Sequence, residues 1–259
     1  MEKKNLWGGI FASVAALIGL IGHFVLFFQW YVAGMSAESA EPGCEILLKF
    51  LHPGLANVGI LAAVFFAVSA YGFFTSKSWA LLLSTIGIVL ALLASWFINV
   101  PFMAAGLPPI YFTLFVPYLL FYFLMLKWIG GVSWARVLLA LGSGMAYIFC
   151  FMNGVSSTSR IVTVGAPLFV LVVGLHWFAM IGWAVFTVGV VIKPKSWLIP
   201  LGLVSGMIEL FVGFPLAFET GLQLGRFSLF SLAPISCLIL VVLLIWPNIF
   251  QRLTCLAKK

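Results

Sequence analysis

The sequence predicts an all-α integral membrane protein, a helix bundle of about eight transmembrane spans with both termini on the cytoplasmic side. Three observations carry this. Of 259 residues, 64% are hydrophobic and 7% charged, and the mean hydropathy is +1.24, far from the composition of a water-soluble domain. The apolar residues fall into runs near or above the ~20 that cross a bilayer as a helix. The basic residues gather at alternate ends of those runs, as the positive-inside rule requires. The formal charge of +7 and the pI near 9.4 imply no nucleic-acid partner, because no more than two basic residues are adjacent anywhere. Membrane orientation accounts for the charge, and the lipid bilayer is the first partner expected.

The expected spans are 7–34, 53–75, 78–103, 109–127, 134–153, 162–192, 197–219 and 228–250. The first follows Lys3 and Lys4 as a secretory signal would, but its apolar stretch of 28 residues far exceeds the ~7–15 of a signal core, so it reads as a retained span. A loop from Ser36 to His52 follows, holding Glu38, Glu41 and Glu45. Within it Pro42 to Leu51 is expected as a short amphipathic helix on the outer surface. The second span ends before Lys77, and Lys77-Ser78-Trp79 opens the third from the cytoplasmic side. Asn99-Val100-Pro101 closes the third, and the fourth runs to Lys127. The fifth enters at Trp134 beside Arg136 and stops at Asn153, before a hydroxyl-rich loop, Ser156-Ser157-Thr158-Ser159, and Arg160. Lys193 and Lys195 bound the sixth, Lys195-Ser196-Trp197 opens the seventh, and the eighth lies between Arg226 and Arg252. Segments such as Ile86 to Trp96 and Leu238 to Trp246 are apolar on every side, which no alternating barrel strand is, and open sheet edges are forbidden in lipid.

With the N-terminus inside, ten basic residues fall on the cytoplasmic side and three, Lys49, Arg160 and Arg226, outside. The cell membrane is the expected location. Trp7, Trp30, Tyr31, Trp79, Trp128, Trp134, Trp197 and Trp246 near span ends form the aromatic belt of such a protein. The two Lys-Ser-Trp entries, each followed by a proline near the outer end (Pro101, Pro215) and by a Phe-Thr-Leu-Phe or Phe-Ser-Leu-Phe stretch, suggest a tandem duplication. The units expected are 1–128 and 129–259, each of four helices in parallel topology.

Glu209 is the outlier among the polar residues. It lies near the middle of the seventh span, where an ionised side chain costs ~3 kcal/mol or more. Its face carries Gly202, Ser205, Gly206 and Gly213, a small-residue stripe that turns the carboxyl toward another helix. His176 falls at the midpoint of the sixth span, at similar depth, and His23 near the centre of the first. A Glu–His pair relays protons, since imidazole titrates near neutrality and each group shifts the other. The expected ligand or proton site is therefore Glu209, His176, His23 and Ser205. His52, Asn99, Asn153, Arg160, Glu219 and Arg226, all near outer helix ends, are expected to line a vestibule.

No cofactor is expected, haem held between His23 and His176 being the alternative, and no metal site, because the sequence lacks a His-x-x-x-His or comparable cluster. The cysteines, Cys44, Cys150, Cys237 and Cys255, have no C-x-x-C spacing. Only Cys44 and Cys150 are placed where a disulfide could form, and Cys150 and Cys237 read as small packing residues. Gly142-Ser143-Gly144 lacks the strand-turn-helix setting of a serine nucleophile and reads as close helix packing. These features favour a transporter or ion-coupled carrier with a midplane site around Glu209 and His176. The alternative is a non-catalytic, quinone-contacting subunit packed against partner membrane subunits or its own copies, and the third reading is an enzyme acting on lipid.

Overall fold

A computed structural model describes residues 3–39, 44–165, 167–225, 227–246, 250, 253 and 254, and among these every regular element is helical. The elements are α1 (Lys3–Glu38), α2 (Cys44–Phe74), α3 (Ala80–Phe97), α4 (Asn99–Ala104), α5 (Phe112–Phe123) with a π-helical extension over Leu124–Ile129, α6 (Trp134–Val164), α7 (Pro167–Ile192), α8 (Leu198–Leu224) and α9 (Leu232–Ile245). A 3₁₀ turn, Leu229–Ser231, leads into α9. Among the described residues, seven segments are long and apolar enough to cross a membrane: α1, α2, α3 with α4, α5 with its extension, α6, α7 and α8. The chain has the helical, apolar architecture of an integral membrane protein.

The last expected span, 228–250, is described only in part, residues 247–249 lying outside the described residues. Its apolar helix covers Leu229–Ile245, about 25 Å at ~1.5 Å per residue, against a hydrocarbon core of ~30 Å. The outer loop is shorter than expected. Glu38 still belongs to α1 and Cys44 already to α2, so 44–51 is the first part of a long helix rather than a separate surface helix. Pro42 lies outside the described residues. Pro53 sits inside α2, where it cannot donate to the carbonyl four residues back. That carbonyl belongs to Lys49, and Tyr31 Oη approaches it at 3.5 Å. The hydroxyl-rich segment Ser156–Ser159 is likewise no loop: α6 runs on to Val164 and ends at Gly165 in the left-handed conformation, φ 66°. Each of these hydroxyl residues fits a helix once tertiary contacts favour one, and Thr158 Oγ1 returns a bond to Gly154 O at 2.8 Å.

The chain divides into two compact units, Met1–Val132 and Ser133–Lys259. In the first, α1 packs on α2, α2 on α3, α3 on α5, and α5 with its extension back on α1. Glycines allow the close approach. Gly59 lies against the imidazole of His23, Gly19 against the Tyr118 hydroxyl and Gly8 against Phe73. The second unit repeats the circuit with α6 on α7, α7 on α8, α8 on α9, and α9 on α6. Ser133 caps α6 by accepting from Arg136 N at 3.4 Å. The Arg136 side chain donates to Val190 O at 2.9 Å and also to Val191 O, using a guanidinium to satisfy carbonyls left over at the end of α7. Toward lipid both units present large apolar side chains, such as Phe28, Val116, Leu171 and Phe211. Small and polar residues face inward, as bilayer packing favours.

Candidate functional site

The second unit carries a buried polar cluster built from three helices. Glu209 of α8 is 0% exposed. The stripe that puts it there is visible in its neighbours: Gly206 packs on Val241 and Trp183, and Gly213 on Pro234. A bulkier residue at either would hold α9 away. His176 of α7 places Nδ1 2.8 Å from Glu209 Oε2. Asn153 of α6 donates from Nδ2 to Glu209 Oε1 at 2.7 Å and to Phe230 O at 3.1 Å. Because Asn153 bonds two oxygens through the same atom, its amide orientation is fixed, with Oδ1 pointing away from both acceptors.

The Glu–His contact has three proton arrangements. The Nδ1–H of a neutral imidazole donates to a carboxylate, a protonated carboxyl donates to Nδ1, or an imidazolium pairs with the carboxylate. The first leaves a net negative charge in an apolar bundle, and the other two, which hold one more proton, leave none. One proton therefore decides the charge of the cluster. His176 Nε2, Asn153 Oδ1 and Ser157 Oγ are buried with no hydrogen-bond partner, and Ser157 lies one helical turn from Asn153 on α6, on the same face.

Apolar or weakly polar layers bound this cluster. On one side Phe169, Val172, Leu216 and Phe230 pack together. On the other, Trp183 Nε1 donates to Cys237 Sγ at 3.2 Å, and the Cys150 thiol interacts with both Cys237 and Glu209. The two cysteines read as plain packing residues thus border the site. Both are free and buried, and the side chain of Cys44 lies outside what the structure describes. Further along α6, the hydroxyls of Ser143 and Thr187 bond at 2.8 Å.

The other expected site residues are distributed differently. His23 belongs to the first unit and does not share the cluster's helices. Ser205 is on α8, but its hydroxyl returns to Leu201 O at 2.9 Å and its side chain packs on Gly182. Among the expected vestibule residues, His52, Asn99 and Asn153 are 0% exposed. Their polarity is spent internally rather than on solvent: His52 Nε2 bonds Tyr111 Oη at 2.6 Å, and Asn99 Oδ1 accepts from Tyr111 N at 3.0 Å. Arg160 and Glu219 lie partly exposed on α6 and α8, and Arg226 is outside the described residues. Among the described residues no group of three or more His, Cys, Asp or Glu could hold a metal ion. His23 and His176 fall in separate units, and His176 already engages Nδ1.

Asn153 and Cys150 lie within the fifth span expected from the sequence, but helix spacing does not say which neighbour their face meets, so neither is expected from it as a partner of Glu209. Had the helix been continued, Cys150, Asn153, Ser157 and Arg160 would have fallen on one face at three- and four-residue spacing. No family model, curated protein or solved structure matches the chain.

Proposed function

We propose that the chain is a small ion-coupled membrane carrier and that Glu209 with His176 is its exchange site, held by Asn153. The observation that supports this is a fully buried carboxyl with each oxygen bonded to a side chain of another helix, Asn153 on α6 and His176 on α7. In the described residues of its unit, the fixed cations Arg136, Arg160, Lys193 and Lys195 sit toward the helix ends. A carboxylate so placed is costly, and binding or releasing one cation switches that cost on and off. Asn153 holds the carboxyl in place, and His176 can pass a proton between Nδ1 and the partner-free Nε2. In proteoliposomes loaded with a pH-sensitive dye, an imposed gradient should drive proton flux that Glu209→Gln abolishes; undiminished flux in that variant would refute the site. His176→Gln should slow the flux, since a positioned proton-transfer group is worth about 10²–10⁴-fold.

We infer also that the two units descend from a duplication, with both termini cytoplasmic in the cell membrane. Equivalent contacts support it. The ring pair His52–Tyr111 in the first unit has its counterpart in Phe169–Phe230. The contact of Phe66 with Tyr118 is matched by that of Trp183 with Cys237. Both pairs keep the same sequence separations between units, 117 residues for the members on α2 and α7 and 119 for those on α5 and α9 or in the turn just before them. With those separations Gly59 corresponds to His176, and His23, shifted like Gly19 to Cys150, corresponds to Gly154. An imidazole facing a neighbouring helix is thus supplied by α1 in one unit and α7 in the other. The acid has no such counterpart, its equivalent being Ala91 by the spacing of Trp79 and Trp197.

A further inference from the structure

We propose that the cluster around Glu209 binds a primary ammonium group, either the free ammonium ion or the head of a short alkylammonium. This rests on the reading of Glu209 as the exchange site and names the cation it takes. When Glu209 is ionised beside a neutral imidazole, His176 donates from Nδ1 and its Nε2 is an acceptor. Asn153 has spent its amide donor on Glu209 and Phe230, so its free Oδ1 can only accept. Ser157 Oγ, fully buried and without a protein partner, completes the set. The atoms left unsatisfied are thus all able to accept, and they sit on the two residues bonded to Glu209 and on a third one helical turn from Asn153.

The complement of such a set is a compact cation bearing several N–H donors. A bare proton neutralises the carboxyl but leaves Asn153 Oδ1 and Ser157 Oγ unsatisfied, at the cost that buried polar atoms carry without partners. The phenyl and aliphatic layer of Phe169, Val172, Leu216 and Phe230 closes one side, and Trp183 with Cys237 closes the other. These layers favour a small occupant over a bulky quaternary one. Ammonium also hydrogen-bonds directionally, matching an amide oxygen and a hydroxyl one turn apart, whereas sodium asks for a fuller shell of oxygens.

The test is thermal unfolding of the purified full-length protein at fixed pH, with ionic strength held constant by choline chloride. Ammonium chloride, methylammonium chloride and sodium chloride are the probes. A ligand that binds the folded state alone raises Tm in proportion to RT ln(1 + [L]/Kd). Ammonium should raise the wild-type Tm with concentration, methylammonium less, and sodium no more than choline. Glu209→Gln should lose the shift. Ser157→Ala, which removes a hydroxyl with no protein partner, should fold normally and need about 10- to 100-fold more ammonium for the same shift, the size of a lost hydrogen bond to a charged group. An equal shift with sodium would overturn the proposal in favour of a general cation site. If no salt shifts Tm but Glu209→Gln still alters the pH profile of unfolding, the ammonium proposal falls and proton exchange stands. If that profile is also unchanged, the exchange site falls with it.

Discussion

At the scale of single residues, the cluster separates groups that are held from groups that wait for a partner. Asn153 belongs to the first kind. Replacing it with Leu should destabilise the protein by ~1–3 kcal/mol, since Glu209 Oε1 and Phe230 O both lose their donor; a chemical or thermal denaturation comparison in detergent would measure it. Ser157 belongs to the second kind. Ser157→Ala should leave stability unchanged or slightly improved in the absence of ligand, because the hydroxyl it deletes bonds to nothing in the protein. A marked loss of Tm in that variant would mean Ser157 has a structural role. Glu209 and His176 could be placed together from the sequence by depth alone, because helices of known rise convert residue number into position. Asn153 could not, because its span is expected to end there, whereas α6 runs on about three turns to Val164.

At the scale of helices, packing is set by glycines that take a neighbour's side chain where a Cβ would sit. Gly59 is one of the tightest cases. A methyl group there would collide with the ring of His23, so Gly59→Ala should cost ~1–3 kcal/mol by overpacking. His23→Ala in the same chain should recover much of that, an interaction energy that a double-mutant cycle measures. Additive losses would show that the two residues do not oppose each other. The helices themselves were legible where apolar runs end in lysine or tryptophan, as at Lys77 and Lys195. They were not legible where a polar or proline-containing stretch continues a helix. Pro53 in α2 and Ser156–Ser159 in α6 look like breaks in one dimension and become helical through contacts made in three.

For the molecule as a whole, composition alone fixed the class: so few charges cannot solvate this much apolar surface, whereas lipid favours it. Composition could not reveal that the buried polar residues segregate. Among the described residues, the first unit holds His23, His52, Asn99, Tyr111 and Tyr118 without a buried acid, and the second holds Glu209, His176 and Asn153. If the carrier reading holds, the protein should run as a species free of foreign subunits in mild detergent, measurable by native mass. Stoichiometric co-purification of other membrane proteins would instead favour an accessory subunit.

The central claim is that Glu209 binds and releases a cation from within the second unit. The most direct measurement is the infrared difference spectrum of the protein in lipid across a pH step, with and without Glu209→Gln. The account predicts a carboxyl C=O band that changes with pH, shifts on exchange into heavy water and vanishes in the variant. A band that persists in the variant, or a wild-type spectrum in which no buried carboxyl responds to pH, would contradict it.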